Sequence, residues 1–180
     1  MSLFEPEGLW NGVHARLGKR GLPGWLVLIP LLGALGVAAA VELGVRTFDT
    51  DWHPVFGYTA RSDDGGARFR ALWVALAAAP VIQGLAAALL GPLYGQPRRW
   101  REALAVAIVG NVPLYFSGIA LLWLPGILLV IGAFFVSYVW WVTGARELLA
   151  VPPSESTEFV MITVIASSTV LLLLASVLPL

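Results

Sequence analysis

The sequence predicts an all-α integral membrane protein, a bundle of five transmembrane helices preceded by a short amphipathic helix. Of its 180 residues, 58% are apolar and 12% are charged, and the mean hydropathy is +0.82. A soluble domain carries roughly 25% charged residues. The apolar residues form five long blocks, each close to the roughly 20 residues with which a helix crosses the hydrocarbon layer. These observations exclude an ordinary soluble globular protein.

The first 24 residues predict a cytoplasmic amphipathic segment. Four apolar residues recur there at helical spacing, which is typical of a helix lying on a membrane surface: Leu9, Trp10, Val13 and Leu17. An unstructured N-terminal tail is the alternative interpretation.

Residues 25–180 predict one transmembrane domain. The expected spans are residues 25–45, 71–94, 102–124, 126–143 and 159–180. Ala38-Ala39-Ala40 resembles a signal-peptide cleavage site, but the charged stretch before the first span is long for a signal peptide. Residues 47–70 predict an exposed polar loop, and Leu124-Pro125-Gly126 predicts a tight turn that folds the third and fourth spans into a hairpin.

The basic residues predict the orientation. With the N-terminus inside, the cytoplasmic side holds seven of them (Arg16, Lys19, Arg20, Arg98, Arg99, Arg101 and Arg146) and the other side holds four (Arg46, Arg61, Arg68 and Arg70). The excess favours a cytoplasmic N-terminus and a C-terminus outside. The net charge is zero and the basic residues are scattered in short loops, which excludes the basic stripe of a nucleic-acid-binding protein.

A layer of polar side chains is expected near the bilayer midplane. At a rise of about 1.5 Å per residue, the layer includes Gln83, Asn111, Tyr115, Ser137 and Tyr138. Pro113 belongs to the same region. It has no N–H to donate to the Val109 carbonyl, so that carbonyl needs another donor. These residues either line a cavity for a substrate or lipid, or form polar contacts between helices.

Other polar residues give no catalytic, cofactor or metal site. Glu42 is the one ionisable residue inside a span, and its position four residues before Arg46 predicts an interfacial ion pair. The chain has no cysteine, and His14 and His53 lie outside the spans. No nucleophile elbow, P-loop, dinucleotide motif or HExxH motif is present. The protein is therefore expected not to be an enzyme.

The second half of the chain resembles the Yip (Ypt/Rab-interacting protein) family, and in particular its bacterial branch. The resemblance is carried by Asn-Val-Pro-Leu-Tyr at 111–115, Leu-Pro-Gly at 124–126, Tyr-Val-Trp-Trp-Val-Thr-Gly at 138–144 and Val-Pro-Pro at 151–153. The family pattern often has a second Tyr where this chain has Trp141. The resemblance implies five spans in the bacterial inner membrane, a cytoplasmic N-terminus and association with other membrane proteins.

Two functions follow as hypotheses. The first is a non-enzymatic accessory or scaffolding subunit, or a membrane organiser, whose partners are membrane lipids and other integral membrane proteins or a second copy. The alternative is a small-molecule or lipid transporter or binding protein with a midplane cavity around Asn111 and Tyr115. Eukaryotic Yip relatives bind small GTPases through a longer soluble N-terminal region, so GTPase binding is not expected for the roughly 24 residues here.

Overall fold

The computed structural model describes residues 7–20, 24–48, 52–53, 57–58, 65–119 and 126–177. The helices in this part of the chain are α1 (Glu7–Arg20), α2 (Gly24–Phe48), α3 (Gly65–Leu90), α4 (Trp100–Gly110), α5 (Val112–Ile119), α6 (Gly126–Glu147) and α7 (Ser156–Val177), with a 3-10 turn at Gly91–Tyr94. A two-residue antiparallel ladder, β1 (Trp52–His53) with β2 (Gly57–Tyr58), lies between α2 and α3. The all-α fold is confirmed.

Four helices of the described chain are long and apolar enough to cross a membrane. The qualifying segments are Gly24–Leu43, Phe69–Tyr94, Leu128–Glu147 and Ser156–Leu173. They correspond to the first, second, fourth and fifth predicted spans. The protein is accordingly a multi-pass helical membrane protein.

The third predicted span is not one continuous helix. The predicted span 102–124 contains two helices, because α4 ends at Gly110 and α5 begins at Val112, with Asn111 in helical backbone geometry between them. Pro113 is the second residue of α5, where the first-turn N–H groups have no helical acceptor and a missing N–H costs little. The 124–125 part of the predicted turn lies outside the described residues.

The fourth helix continues past the predicted span. α6 runs through Gly144 to Glu147, beyond the end of that span at residue 143. Gly144 is buried within the helix, and the Trp10 ring of α1 packs over it. The helix-ending role that glycine often has is therefore not used here.

The bundle buries many small residues where its helices meet, and many of its large apolar residues are exposed on the outside. α3 packs against α2, α4 and α7, and α6 packs against α4, α5 and α7. Alanines such as Ala87, Ala103 and Ala107 are almost fully buried. Leucines and phenylalanines such as Leu128 and Phe135 point outwards and are exposed. This distribution suits a bundle whose solvent is lipid, where helices associate through close packing of small residues.

The N-terminal helix α1 packs on the bundle through its apolar face. Trp10, Val13 and Leu17 are buried, whereas His14 and Arg16 are exposed. α1 contacts α4 and α6. The location of this helix at a membrane surface stays a prediction, since its apolar face contacts protein in the structure.

The ring of Trp10 occupies a seat that a glycine leaves open. A Cβ atom added at Gly144 would lie 2.7–3.1 Å from three atoms of the Trp10 ring. The Trp10 side chain is fully buried, and its Nε1–H has no hydrogen-bond partner in the described structure. An unsatisfied buried donor costs about 1–3 kcal/mol, so α1 is held by packing that outweighs this cost.

We expect Gly144→Ala to displace α1 from the bundle. The added methyl group overlaps the Trp10 ring, and overpacking of this kind costs about 1–3 kcal/mol. Hydrogen exchange of the peptide covering residues 7–20 should become faster in the variant. Gly132→Ala is the matched control, because it makes the same change on α6 with open space around the new Cβ. Equal exchange rates in the two variants would show that docking of α1 does not depend on the space that Gly144 leaves for the Trp10 ring.

Candidate functional site

The break between α4 and α5 is built around Asn111. Its backbone N–H donates to the Ala107 carbonyl (3.3 Å), and its side-chain Nδ2 donates to the same carbonyl (2.6 Å). Nδ2 also donates to Oε1 of Gln83 on α3 (2.6 Å). The Asn111 carbonyl then accepts the N–H of Tyr115 (3.1 Å) and starts the next helix. The Asn111 amide thus closes α4 and connects it to α3.

Ser137 on α6 completes the break from the opposite side. Its hydroxyl donates to the carbonyl of Gly110, the last residue of α4. Gly110 also gives space to Trp141, because a Cβ atom at that position would overlap the indole ring. Both Ser137 and Trp141 are buried. A hydroxyl from one helix therefore satisfies a carbonyl at the end of another, in a region where water is absent.

Tyr115 supplies a donor to a carbonyl that a proline leaves free. Its hydroxyl donates to the Leu76 carbonyl on α3 at 3.0 Å. Pro80, four residues further along α3, has no N–H with which to bond that carbonyl. The hydroxyl replaces the missing donor. The rule that singles out Pro113 in the sequence applies equally to Pro80, so this acceptor could have been found from the sequence.

The Tyr115 ring is held on α2 by another glycine. A Cβ atom at Gly33 would lie 2.6–2.9 Å from three atoms of the tyrosine side chain. α2 and α3 are linked again by the indole N–H of Trp73, which donates to the Leu31 carbonyl (3.1 Å). Nothing in the sequence distinguishes Gly33 or Leu31 from their neighbours. Tyr115 consequently joins three helices, α2, α3 and α5.

The structure brings together five of the six predicted residues and separates Tyr138 from them. Gln83, Asn111 and Ser137 meet at the break, and Tyr115 lies one turn further along. Tyr138 is half-buried and lines a separate groove of about 390 Å³ between α6 and α7. Pro113 is half-buried and shapes the start of α5.

A larger groove lies between α2 and α5. It has a volume of about 530 Å³ and is lined by apolar residues, including Leu28 and Leu32 of α2 and Val112 and Phe116 of α5. The Tyr115 ring forms part of the wall, but its hydroxyl is bonded to α3. The groove can accommodate an apolar chain, and Tyr115 presents it with a ring rather than a polar group.

The predicted ion pair is described only in part. Glu42 is buried, with 9% of its surface exposed. The side chain of Arg46 lies outside the described side chains, so the pair stays a prediction. Within the described residues, no group of three or more His, Asp or Glu side chains could hold a metal ion.

Comparison with known proteins adds no relative. No family model, no curated protein and no solved structure matches this chain.

We expect Tyr115→Phe to destabilise the bundle by about 1 kcal/mol, the size of a hydrogen bond between membrane helices. The variant keeps the ring on Gly33 and removes only the donor to the Leu76 carbonyl. Thermal unfolding in mild detergent measures the change. Tyr138→Phe is the control, since the Tyr138 hydroxyl makes no hydrogen bond within the described part of the chain. A Tyr115→Phe variant as stable as Tyr138→Phe would show that the bond contributes nothing.

Proposed function

We propose that this chain is a five-span, Yip-type protein of the bacterial inner membrane that acts as a non-enzymatic accessory or scaffolding subunit. The observation that carries the proposal is the use of the interior polar groups. Asn111, Ser137 and Tyr115 all direct their hydrogen bonds at neighbouring helices. Hydrogen bonds of this kind stabilise the arrangement of the helices, and the outer surface of the bundle is then what it presents to partners.

The outer surface supports association within the membrane. Large apolar side chains are exposed along several helices, among them Leu32 on α2, Leu89 on α3, Phe134 on α6 and Leu172 on α7. Such faces contact lipid or the helices of another membrane protein. The proposed partners are membrane lipids and another integral membrane protein or a second copy of the chain.

The third span in this proposal consists of α4 and α5 together. The two helices follow each other along α3: Leu104 of α4 lies beside Gly84, and Tyr115 of α5 reaches Leu76. Residues 100–119 number about the 20 that a span requires. The bonds across the break at Asn111 satisfy the backbone where the helix stops.

The orientation in the proposal places the N-terminus in the cytoplasm. Contacts bring α1 to α6, and Arg99 bonds the Leu148 carbonyl (3.1 Å), so α1, the 95–99 connector and the 148–155 link share one end. The basic residues of these three segments are therefore counted on the same side of the membrane. The excess of arginine and lysine at this end supports a cytoplasmic location.

The decisive experiment is purification of the tagged full chain from its native membrane in mild detergent. An accessory subunit is expected to retain one membrane partner at a fixed ratio through size-exclusion chromatography, as measured by quantitative mass spectrometry. The untagged chain, carried through the same steps, controls for adventitious capture. A single 19.3 kDa chain without a protein partner would overturn the proposal.

The α2–α5 groove favours a second function, binding or transport of a lipid or small apolar molecule. In that case the purified chain retains such a molecule, and residues beside the groove control its affinity. Tyr115 lines the groove, and Asn111 directly precedes α5, the helix that forms one wall of it. The same purification separates the two functions, because it reports bound proteins and bound small molecules together.

Asn111→Leu distinguishes packing from binding. If Asn111 holds helices together, the variant leaves Oε1 of Gln83 without its donor and loses about 1 kcal/mol or more of stability. Ser168→Leu is the control, since it replaces an exposed polar residue in the last predicted span. A variant with unchanged thermal stability and a lost small molecule would assign Asn111 to the binding function instead.

A further inference from the structure

A crevice between α3 and α4 combines an apolar wall with a cationic rim. Its volume is about 140 Å³, and its lining consists of Val81, Gly84, Leu85, Trp100, Arg101 and Leu104. It lies at the end of the bundle where α4 begins. This crevice is separate from the α2–α5 groove and from the network around Asn111.

The apolar wall is formed by two pairs of residues one helical turn apart. Val81 and Leu85 are four residues apart on α3, and Trp100 and Leu104 are four apart on α4, so each pair shares a helix face. Val81 is 42% exposed and Leu85 is 47% exposed. A Cβ atom at Gly84 would lie 2.8 Å from Cα of Leu104, so the two backbones almost touch at the floor of the crevice.

The rim of the crevice carries positive charge. Arg101 is exposed, and within the described part of the chain its guanidinium makes no hydrogen bond or ion pair. Arg98, three residues earlier, is also exposed. Arg99 differs from both, because it is half-buried and bonds the Leu148 carbonyl. Glu102 follows Arg101 about 100° further round the helix and is half-buried.

This order of groups matches the order of groups in a phospholipid. Arg101 and the indole of Trp100 stand at the start of α4, the end of this helix that the proposed five-span topology places at the membrane interface, and Leu104 lies one turn deeper. Tryptophan side chains favour the headgroup level, and arginine binds phosphate through several N–H donors. Below them, the crevice offers only apolar side chains to a ligand.

We propose that the α3–α4 crevice binds an anionic phospholipid, with the phosphate against Arg101 and part of one acyl chain along Val81, Leu85 and Leu104. The unpaired charge on the rim selects an anionic headgroup over a zwitterionic one. The site does not depend on the scaffolding function, because it requires only that α3 and α4 lie in a membrane. A scaffold that retains a particular lipid would also influence the composition of its immediate surroundings.

Native mass spectrometry of the full chain in detergent tests the headgroup contact. Phosphatidylglycerol and phosphatidylcholine with identical acyl chains are titrated separately. The wild-type chain should bind phosphatidylglycerol more tightly, and Arg101→Gln should weaken that binding about fivefold, as expected for one basic residue near an anionic surface. Binding of phosphatidylcholine should not change. Arg16→Gln removes another exposed charge at the same end that does not line the crevice, and it should leave the binding of both lipids unchanged.

A second pair of variants tests the acyl-chain contact. Leu85→Trp fills the crevice and should weaken the binding of both lipids. Leu89→Trp is the matched control, because Leu89 is an exposed residue one turn further along α3 that does not line the crevice. Equal losses from Arg101→Gln and Arg16→Gln would reduce the headgroup contact to diffuse attraction. Equal behaviour of Leu85→Trp and Leu89→Trp would remove the acyl chain from the crevice. Either result would overturn the proposed site.

Discussion

A backbone carbonyl without a donor is costly in hydrocarbon, and this constraint organises the centre of the bundle. Pro80 frees the Leu76 carbonyl, which accepts the hydroxyl of Tyr115 from another helix. At the end of α4, the Gly110 carbonyl accepts the hydroxyl of Ser137. Each of these two carbonyls is therefore satisfied by a side chain of a different helix. The relative rotation of α3, α5 and α6 follows from these pairings, since a rotated helix would leave a carbonyl unsatisfied.

Glycines bring the helices close enough for these bonds to form. Gly33 receives the ring of Tyr115, Gly110 receives Trp141, and Gly144 receives Trp10. In each case an aromatic ring lies where a Cβ atom would otherwise be. A hydroxyl bond and a ring seat coincide at Tyr115, so a single residue fixes the distances among three helices.

The sequence predicts the long helices well because their length and apolar composition depend on local residues alone. It also predicts that Gln83, Asn111 and Ser137 lie at one level of the bundle, since a helix rises by a constant amount per residue, and hydrogen bonds around residues 110 and 111 join the three helices at that level. Depth does not give rotation, and rotation decides that Tyr138 faces a different groove. Pro113 indicates a missing donor in the third predicted span. Whether the helix bends or is interrupted there depends on side chains of α3 and α6, which the local sequence does not give. The function is harder to predict from the sequence, because the proposed function depends on the shape and surface of the bundle and not on a sequence motif.

The seat of Trp10 on Gly144 has a consequence for biosynthesis. α1 is synthesised before α6, and Gly144 follows Trp10 by about 130 residues, a delay on the order of ten seconds at typical rates of synthesis. Before α6 is made, the Trp10 ring lacks its place at Gly144, although α4, which α1 also contacts, is synthesised earlier. Full docking of α1 must therefore follow the synthesis of α6.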